Sequence, residues 1–433
     1  MDQATKKIST EDLKALLDDG NVKIIDVRPV DAYNGWKLQN EKRGGHIKGA
    51  KSLPLKWSNY IDWIEVVRSK IILPENEIVI YGYSDEDAQH VAELFFRGGY
   101  MDVTIYSGFV DEWTVNENLP MEKLKRYRNL VSPEWVKTLV SGGKPPEYDN
   151  DKFVVCHSHY RNPGDYKKDH IPGAISLDTL ELESEETWNR RSPEELKAAL
   201  EKKGITADTT VVLYGRFAFP KNEDPFPGSS AGHLGAIRCA FIMLYAGVKD
   251  VRVLNGGMQS WKDAGFEVTT EITEPIPVDD FGAEIPGRPG LAVDVPEAKE
   301  MLGADDAELV SVRSWPEWIG EVSGYNYIEK TGRIPGAVFG NCGTDAYHME
   351  NYRNVDHTTK EFHEIAETWK EVGITPDKHL AFYCGTGWRG SEAFFNAWLM
   401  GWPRVSVFDG GWFEWSKDPD NPVEKGLPHM IEK

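Results

Sequence analysis

Six residues near the C-terminus, Cys384-Gly385-Thr386-Gly387-Trp388-Arg389, follow the apolar run HLAFY (379 to 383) and lead into a helical pattern expected over about Ser391 to Met400. A thiol at a strand end, two glycines and an arginine suit nucleophilic sulfur chemistry. Glycine tolerates positive φ, so such a loop can curl its N–H groups inward to form a concave anion nest. The positive end of the following helix and the permanent charge of Arg389 act in the same direction. All three favour thiolate over thiol, and thiolate is the reactive form. Cys384 is therefore the expected nucleophile.

Three other cysteines place themselves differently. Cys239, within CAFIMLYAG, and Cys156, within FVVCHS, read as core residues of a helix and a strand. Cys342, in GNCGTDAYHM, falls in a loop of the same copy as Cys384 and reads as structural more readily than as a resolving or redox partner of it. No CxxC pair occurs, so neither a zinc cage nor a disulfide framework is expected.

The elements that must position Cys384 recur three times. The first copy runs KIIDVRPVDAY (23 to 33), GHIKGA (45 to 50), EIVIYG (77 to 82) and YSGFVDEW (106 to 113). The second runs RNPGDY (161 to 166), DHIPGA (169 to 174), TVVLYG (210 to 215) and LNGGMQSW (254 to 261). The third runs LVSVRSWPEW (309 to 318), GRIPGA (332 to 337), HLAFYC (379 to 384) and FDGGWFEW (408 to 415). From Gly82 to Gly108 and from Cys384 to Gly410 are 26 positions each, and from Gly215 to Gly256 are 41, the excess being the insertion RFAFPKNEDPFPGSS. Gly82 and Gly215 thus stand where the third copy has its cysteine. Short β-branched or aromatic runs alternating with patterns such as SPEELKAALEKKG indicate parallel α/β units, whose ligands bind at strand carboxyl ends. Three tandem domains are expected, over 1–125, 126–275 and 290–433, each a parallel sheet flanked by helices, with TEPIPVDDFGAEIPGRPG (273 to 290) as a linker.

Bulk properties narrow the function further. The 433 residues suffice for several cores, and 40% hydrophobic with 27% charged residues describes a globular chain lacking an apolar membrane tract. A net charge of −21 excludes nucleic-acid and anionic-membrane binding as the main business, since both require a basic face. An anionic substrate would need locally placed arginines. MDQATKKISTEDLKALL lacks the apolar region of a secretory leader, so the chain as written is expected in the cytoplasm, with the periplasm open if a leader was removed.

The framework H-I-x-G-A, the CGTGWR loop and the terminal D-G-G-W-x-x-W resemble the rhodanese family, and within it the bacterial three-domain thiosulfate sulfurtransferases. The resemblance covers nearly the whole chain. It implies that Cys384 attacks the sulfane sulfur of thiosulfate or a similar donor, releases sulfite, and holds the sulfur as a persulfide. A thiophilic acceptor such as cyanide, a thiol or a sulfur-accepting protein then removes it, with ping-pong kinetics. Backbone groups of Gly385, Thr386, Gly387, Trp388 and Arg389 would cradle the persulfide, and Arg389 would stabilise donor and leaving group. No cofactor or metal is implied. Mercaptopyruvate transferases share the Cys-Gly-Thr-Gly or Cys-Gly-Ser-Gly opening, so the donor is left open. Relatives carry an arginine four positions after Arg313, where this chain has Glu317, so one anion anchor is absent. Arg313 itself is expected to pair with a carboxylate.

Rival chemistries make different demands. Cysteine phosphatases and arsenate reductases of related architecture place five residues between cysteine and arginine, and this chain has four, a smaller cradle that favours sulfur. A persulfide relay or interaction scaffold is the second rival, since two copies lack the thiol. His46 and His170 recur in copies without cysteine, and Arg333 replaces them in the copy with it, so they read as loop structure. Trp388 is expected to shape the pocket mouth. Trp315, Tyr325 and Tyr327 read as aromatic core more readily than as pocket lining.

Overall fold

The computed structural model describes residues 5–161, 163–217 and 232–428. Asn162 of the RNPGDY motif and residues 218–230 of the insertion in the second copy lie outside the described residues. Three five-stranded sheets are present among the described residues, one per copy, and every strand pairing within them is parallel. The α/β class read from the alternating patterns is the observed one. Contacts group the chain into two compact units, Met1–Tyr127 and Arg128–Lys433.

In the first unit the strand Glu77–Tyr81 shows why the central runs are apolar on both sides. Ile78 and Ile80 face one core with Ile25 and Phe95, while Val79 and Tyr81 face another with Ile24 and Trp113. Successive side chains point to opposite faces of a strand, so a strand covered on both faces must be apolar throughout.

The second unit holds the other two sheets. In the last sheet the strand order is Ala292–Val293, Val405–Phe408, His379–Tyr383, Ala307–Ser311, Val338–Phe339. His379–Tyr383 is central, registered with Ser311 opposite Tyr383, so its carboxyl end delivers Cys384 beside the residues that follow Ser311. Trp412 and Trp415, from the D-G-G-W-x-x-W motif, pack in the core beneath with Tyr383 and Phe408. That motif, read as a closing turn, forms the helix Gly411–Lys417.

The helix Pro193–Lys202 begins as its sequence dictates. Ser192 and Glu195 cap one another, and Pro193 occupies the first turn, where its missing N–H costs no bond. By contrast the helix Gly232–Ala246 is buried along all 15 residues, because it is enclosed between the second and third copies. Phe241 packs edge-on against Phe394 of the helix Trp388–Leu399, with ring centroids 5.4 Å apart. Burying such a ring stabilises by about 1.5–3 kcal/mol. The segment 273–290 is not a free tether: Val278 donates to the Glu201 carbonyl and Arg288 to the carbonyls of Leu244 and Val248.

Candidate active site

Cys384 is buried where the central strand ends. Its carbonyl accepts from Trp412 N–H and that of Gly385 from Phe413 N–H, both at 2.9 Å, which fastens one side of the loop to the helix Gly411–Lys417. The backbone N–H groups of Gly385, Thr386, Gly387, Trp388 and Arg389 have no protein acceptor among the described residues. Unpaired N–H groups in the loop that follows a thiol are the kind of donors an anion nest draws on.

The two loop glycines are required for different reasons. Gly387 has φ +85°, and a Cβ there would lie 2.6 Å from the Asp409 carbonyl oxygen. Gly385 has no positive φ; its constraint is contact, since a Cβ would lie 2.0 Å from the ring of Tyr325. Helix begins at Trp388, three residues before the position expected, because Gly387 in the left-handed conformation ends the loop and caps the first turn. Arg389 consequently belongs to that first turn.

This placement directs its side chain into a buried cluster. Arg389 Nη1 and Nη2 each donate to Glu317 at 2.8 Å; Nη1 also reaches Cys342 Sγ at 3.0 Å and Nη2 the Tyr325 hydroxyl at 3.0 Å. Arg313 donates to Glu317 at 3.3 Å, so the carboxylate partner expected for it is the residue four positions on. Burial alone would raise the Glu317 carboxyl, but Arg389 and Arg313 outweigh it and hold it down at about 2. The glutamate in the anchor position is thus ionised and occupies both terminal guanidinium nitrogens of Arg389.

Tyr325 descends onto the loop because Gly324, with φ +85°, lets the backbone pass against Glu317. Burial pushes the Tyr325 phenol well above 10.0, against the opposing pull of Arg389, so it is a neutral hydroxyl. Burial likewise raises the Cys342 thiol to about 11, with Arg389 opposing. Tyr327 lies alongside Tyr325, with centroids 5.4 Å apart, and Tyr347 meets Tyr325 edge-on at 5.9 Å. Trp315, 43% exposed, packs on Phe339 instead. The core reading of Tyr325 and Tyr327 missed their position over the thiol loop. A chain with 17 tyrosines and 15 tryptophans gives no local signal that separates a core aromatic from a wall of the site.

The second copy completes this wall. Trp188 stacks on Tyr327 at 5.6 Å, and Tyr160 meets Trp388 edge-on at 5.6 Å. Trp388 is fixed by its indole N–H, which donates to both Glu183 oxygens at 2.9 and 3.0 Å. Glu183 is paired with Arg238 at 2.9 Å, and Arg238 with Asp409 at 2.5 Å. Arg190 then bridges Asp409 and Asp294, each at 2.9 Å, which holds the segment carrying Trp188 against the third sheet. Trp388 stands at the pocket mouth expected for it, whereas its partners Tyr160, Trp188, Glu183, Arg190 and Arg238 carry no sequence signal, because pairing between copies leaves no periodic trace. His46 and His170 each place Nδ1 on a carbonyl of the same copy, Tyr33 and Tyr166, and stack on those rings.

Comparison with known proteins agrees with this architecture. A model of the rhodanese-like domain matches residues 9–116, 150–264 and 294–418. The thiosulfate sulfurtransferase YnjE of Escherichia coli (strain K12) is 41% identical over 413 residues, covering 94% of this chain and 89% of that protein. The sulfur carrier protein TtuD of Thermus thermophilus is 30% identical over 319 residues, covering 69% of this chain and 96% of that protein. Among solved structures, EanB in complex with hercynine is 63% identical with TM-score 0.96, covering 98% of both chains. A further EanB structure, with the same identity and TM-score and covering 98% of this chain and all of that one, contains ergothioneine covalently linked to a persulfide cysteine. With three such domains along its length and these relatives, the chain belongs to the rhodanese family of sulfurtransferases.

Proposed function

We propose that Cys384 accepts a sulfane sulfur from thiosulfate or a similar donor and passes it to the imidazole C2 carbon of a trimethylated histidine betaine, hercynine, yielding the 2-thio derivative ergothioneine. The observation that carries the acceptor is the aromatic wall of Tyr325, Tyr327, Trp188, Tyr160 and Phe413 around the thiol loop. Aromatic faces attract quaternary ammonium groups, which cannot donate hydrogen bonds and are only weakly hydrated. The presence of hercynine and ergothioneine in the EanB structures supports the same acceptor. A tyrosine, a threonine and one of two cysteines altered in those structures stand at the same spacings from the persulfide cysteine as Tyr325, Thr386 and Cys342 do from Cys384.

Both half-reactions balance without an external oxidant. In the first, the Cys384 thiolate attacks the outer sulfur of thiosulfate, the S–S bond breaks and sulfite leaves. In the second, a C–S bond forms at imidazole C2 while the persulfide S–S bond breaks, its electron pair departing with the Cys384 sulfur. The C2 proton is lost, so C2–H and Cys–S–SH become C2–SH and Cys–SH. Backbone donors from Gly385 to Arg389 would hold the persulfide and the returning thiolate. The Tyr325 hydroxyl accepts from Arg389 and keeps its own proton, which suits hydrogen bonding to an imidazole nitrogen or the departing sulfur.

The test is turnover of thiosulfate with hercynine, with histidine and with cyanide, for the wild type and Cys384→Ser. Formation of a 2-thioimidazole from hercynine, absent with the variant, is expected. Thiocyanate without any thioimidazole would return the function to thiosulfate transfer onto small thiophiles.

A further inference from the structure

Glu317 is the most heavily engaged carboxylate of the site. It is fully buried and accepts from Arg389 twice, from Arg313, from Ser314 N–H at 3.0 Å and from Ser314 Oγ at 2.7 Å. The bidentate pairing leaves neither terminal nitrogen of Arg389 without a protein acceptor. Its remaining contacts are Cys342 Sγ, the Asp345 carbonyl at 3.3 Å and the Tyr325 hydroxyl. An arginine next to a reactive thiol would ordinarily bind an anionic co-substrate through such a fork. Here the fork is closed by the protein's own carboxylate, and the walls beyond it are aromatic.

We propose that Glu317 is a positioning residue that sets the charge preference of the acceptor step: by occupying Arg389 it withholds the cation an anionic acceptor would use, leaving the anionic donor to the loop N–H groups, and it fixes the guanidinium where Tyr325 is held over Gly385. This deepens the proposed function, because a zwitterionic or cationic acceptor then meets aromatic faces rather than a free arginine. It would not follow if Glu317 merely filled space, since a neutral isostere would fill the same space.

Alkylation of Cys384 tests this without any turnover. Iodoacetate and iodoacetamide react with a thiolate alike and differ by one negative charge, so the ratio of their rates reports the local field. In Glu317→Gln the ratio is expected to rise about tenfold over the wild type, as expected for a released charge near the thiol. Glu317→Asp, which keeps the carboxylate, should leave the ratio near the wild-type value. Glu317→Gln places two buried arginines beside a neutral group, and should it not fold, Glu317→Gln with Arg313→Gln carries the wild-type net charge and still releases Arg389. The same rise is expected there. An unchanged or lowered ratio in a folded variant lacking the carboxylate overturns the proposal. Because neither reagent resembles hercynine, failure of hercynine as an acceptor and failure of this assignment are separately visible.

Discussion

Replacing Arg238 by methionine probes whether the second copy builds the site or merely accompanies it. Arg238 is fully buried in the helix Gly232–Ala246 and donates to Glu183, to Asp409 and, at 3.0 Å, to the Trp188 carbonyl. Methionine fills similar volume but strands the Glu183 carboxylate with the Trp388 indole as its chief remaining partner, while Asp409 keeps Arg190. Removing one partner of a buried ion pair costs about 3–5 kcal/mol, because the other charge is left without compensation in a poorly solvating interior. At about 2–4 °C per kcal/mol for a unit of this size, Tm should fall on the order of 10 °C. The pH dependence has a defined sign. Burial raises the Glu183 carboxyl above its ordinary 4.5, against the pull of Arg238, so the folded state binds its proton more tightly than the unfolded chain. Stability contributed by that group therefore falls as pH rises above 4.5. Without Arg238 the effect is larger, so the deficit should be greatest at neutral pH and shrink as pH falls toward 4.5. Thermal unfolding of wild type and Arg238→Met across that range measures it, alongside KM for hercynine, which should rise as Trp188 loses its anchor. An unchanged Tm, or a deficit that grows on acidification, would refute the reasoning.

Further outcomes follow from the same contacts. Gly385→Ala should displace Tyr325, because its Cβ would lie 2.0 Å from that ring, and kcat with hercynine should drop by roughly a hundredfold or more while circular dichroism is unchanged. Trp188→Ala should raise KM for hercynine about 2- to 30-fold, the value of one cation–π contact, with persulfide formation on Cys384 unaffected in stopped assays. Tyr325→Phe should lower kcat, and the wild-type pH–rate profile should show no limb from tyrosine ionisation below 10.0, since burial holds that phenol above it. A limb that disappears in the phenylalanine variant would contradict that assignment.

The thiol loop was legible in the sequence because its parts are local: strand, cysteine, glycines and helix are contiguous, and their order sets the shape of the loop. The triplicated framework was legible for the same reason, with each apolar run meeting a sheet buried on both faces. Two features escaped. Arg389 was expected to face a donor, but the early start of the helix at Trp388 turns it toward Glu317, a pairing across 72 positions that no spacing rule anticipates. The aromatic wall draws on Tyr160 and Trp188 from one copy and Tyr325 and Tyr327 from another, and only the packing of the fully buried helix Gly232–Ala246 brings them together. Glu317 itself was visible as a departure at the anchor position, although its effect on the charge of the site required the geometry.

The most direct test of the central claim is mass spectrometry of the protein after reaction with sulfur-labelled thiosulfate, followed by addition of hercynine. The account predicts that Cys384 gains one labelled sulfur atom, that hercynine removes it, and that the label appears in the 2-thioimidazole product. Label retained on Cys384 in the presence of hercynine, or label carried to product by the Cys384→Ser variant, would contradict it.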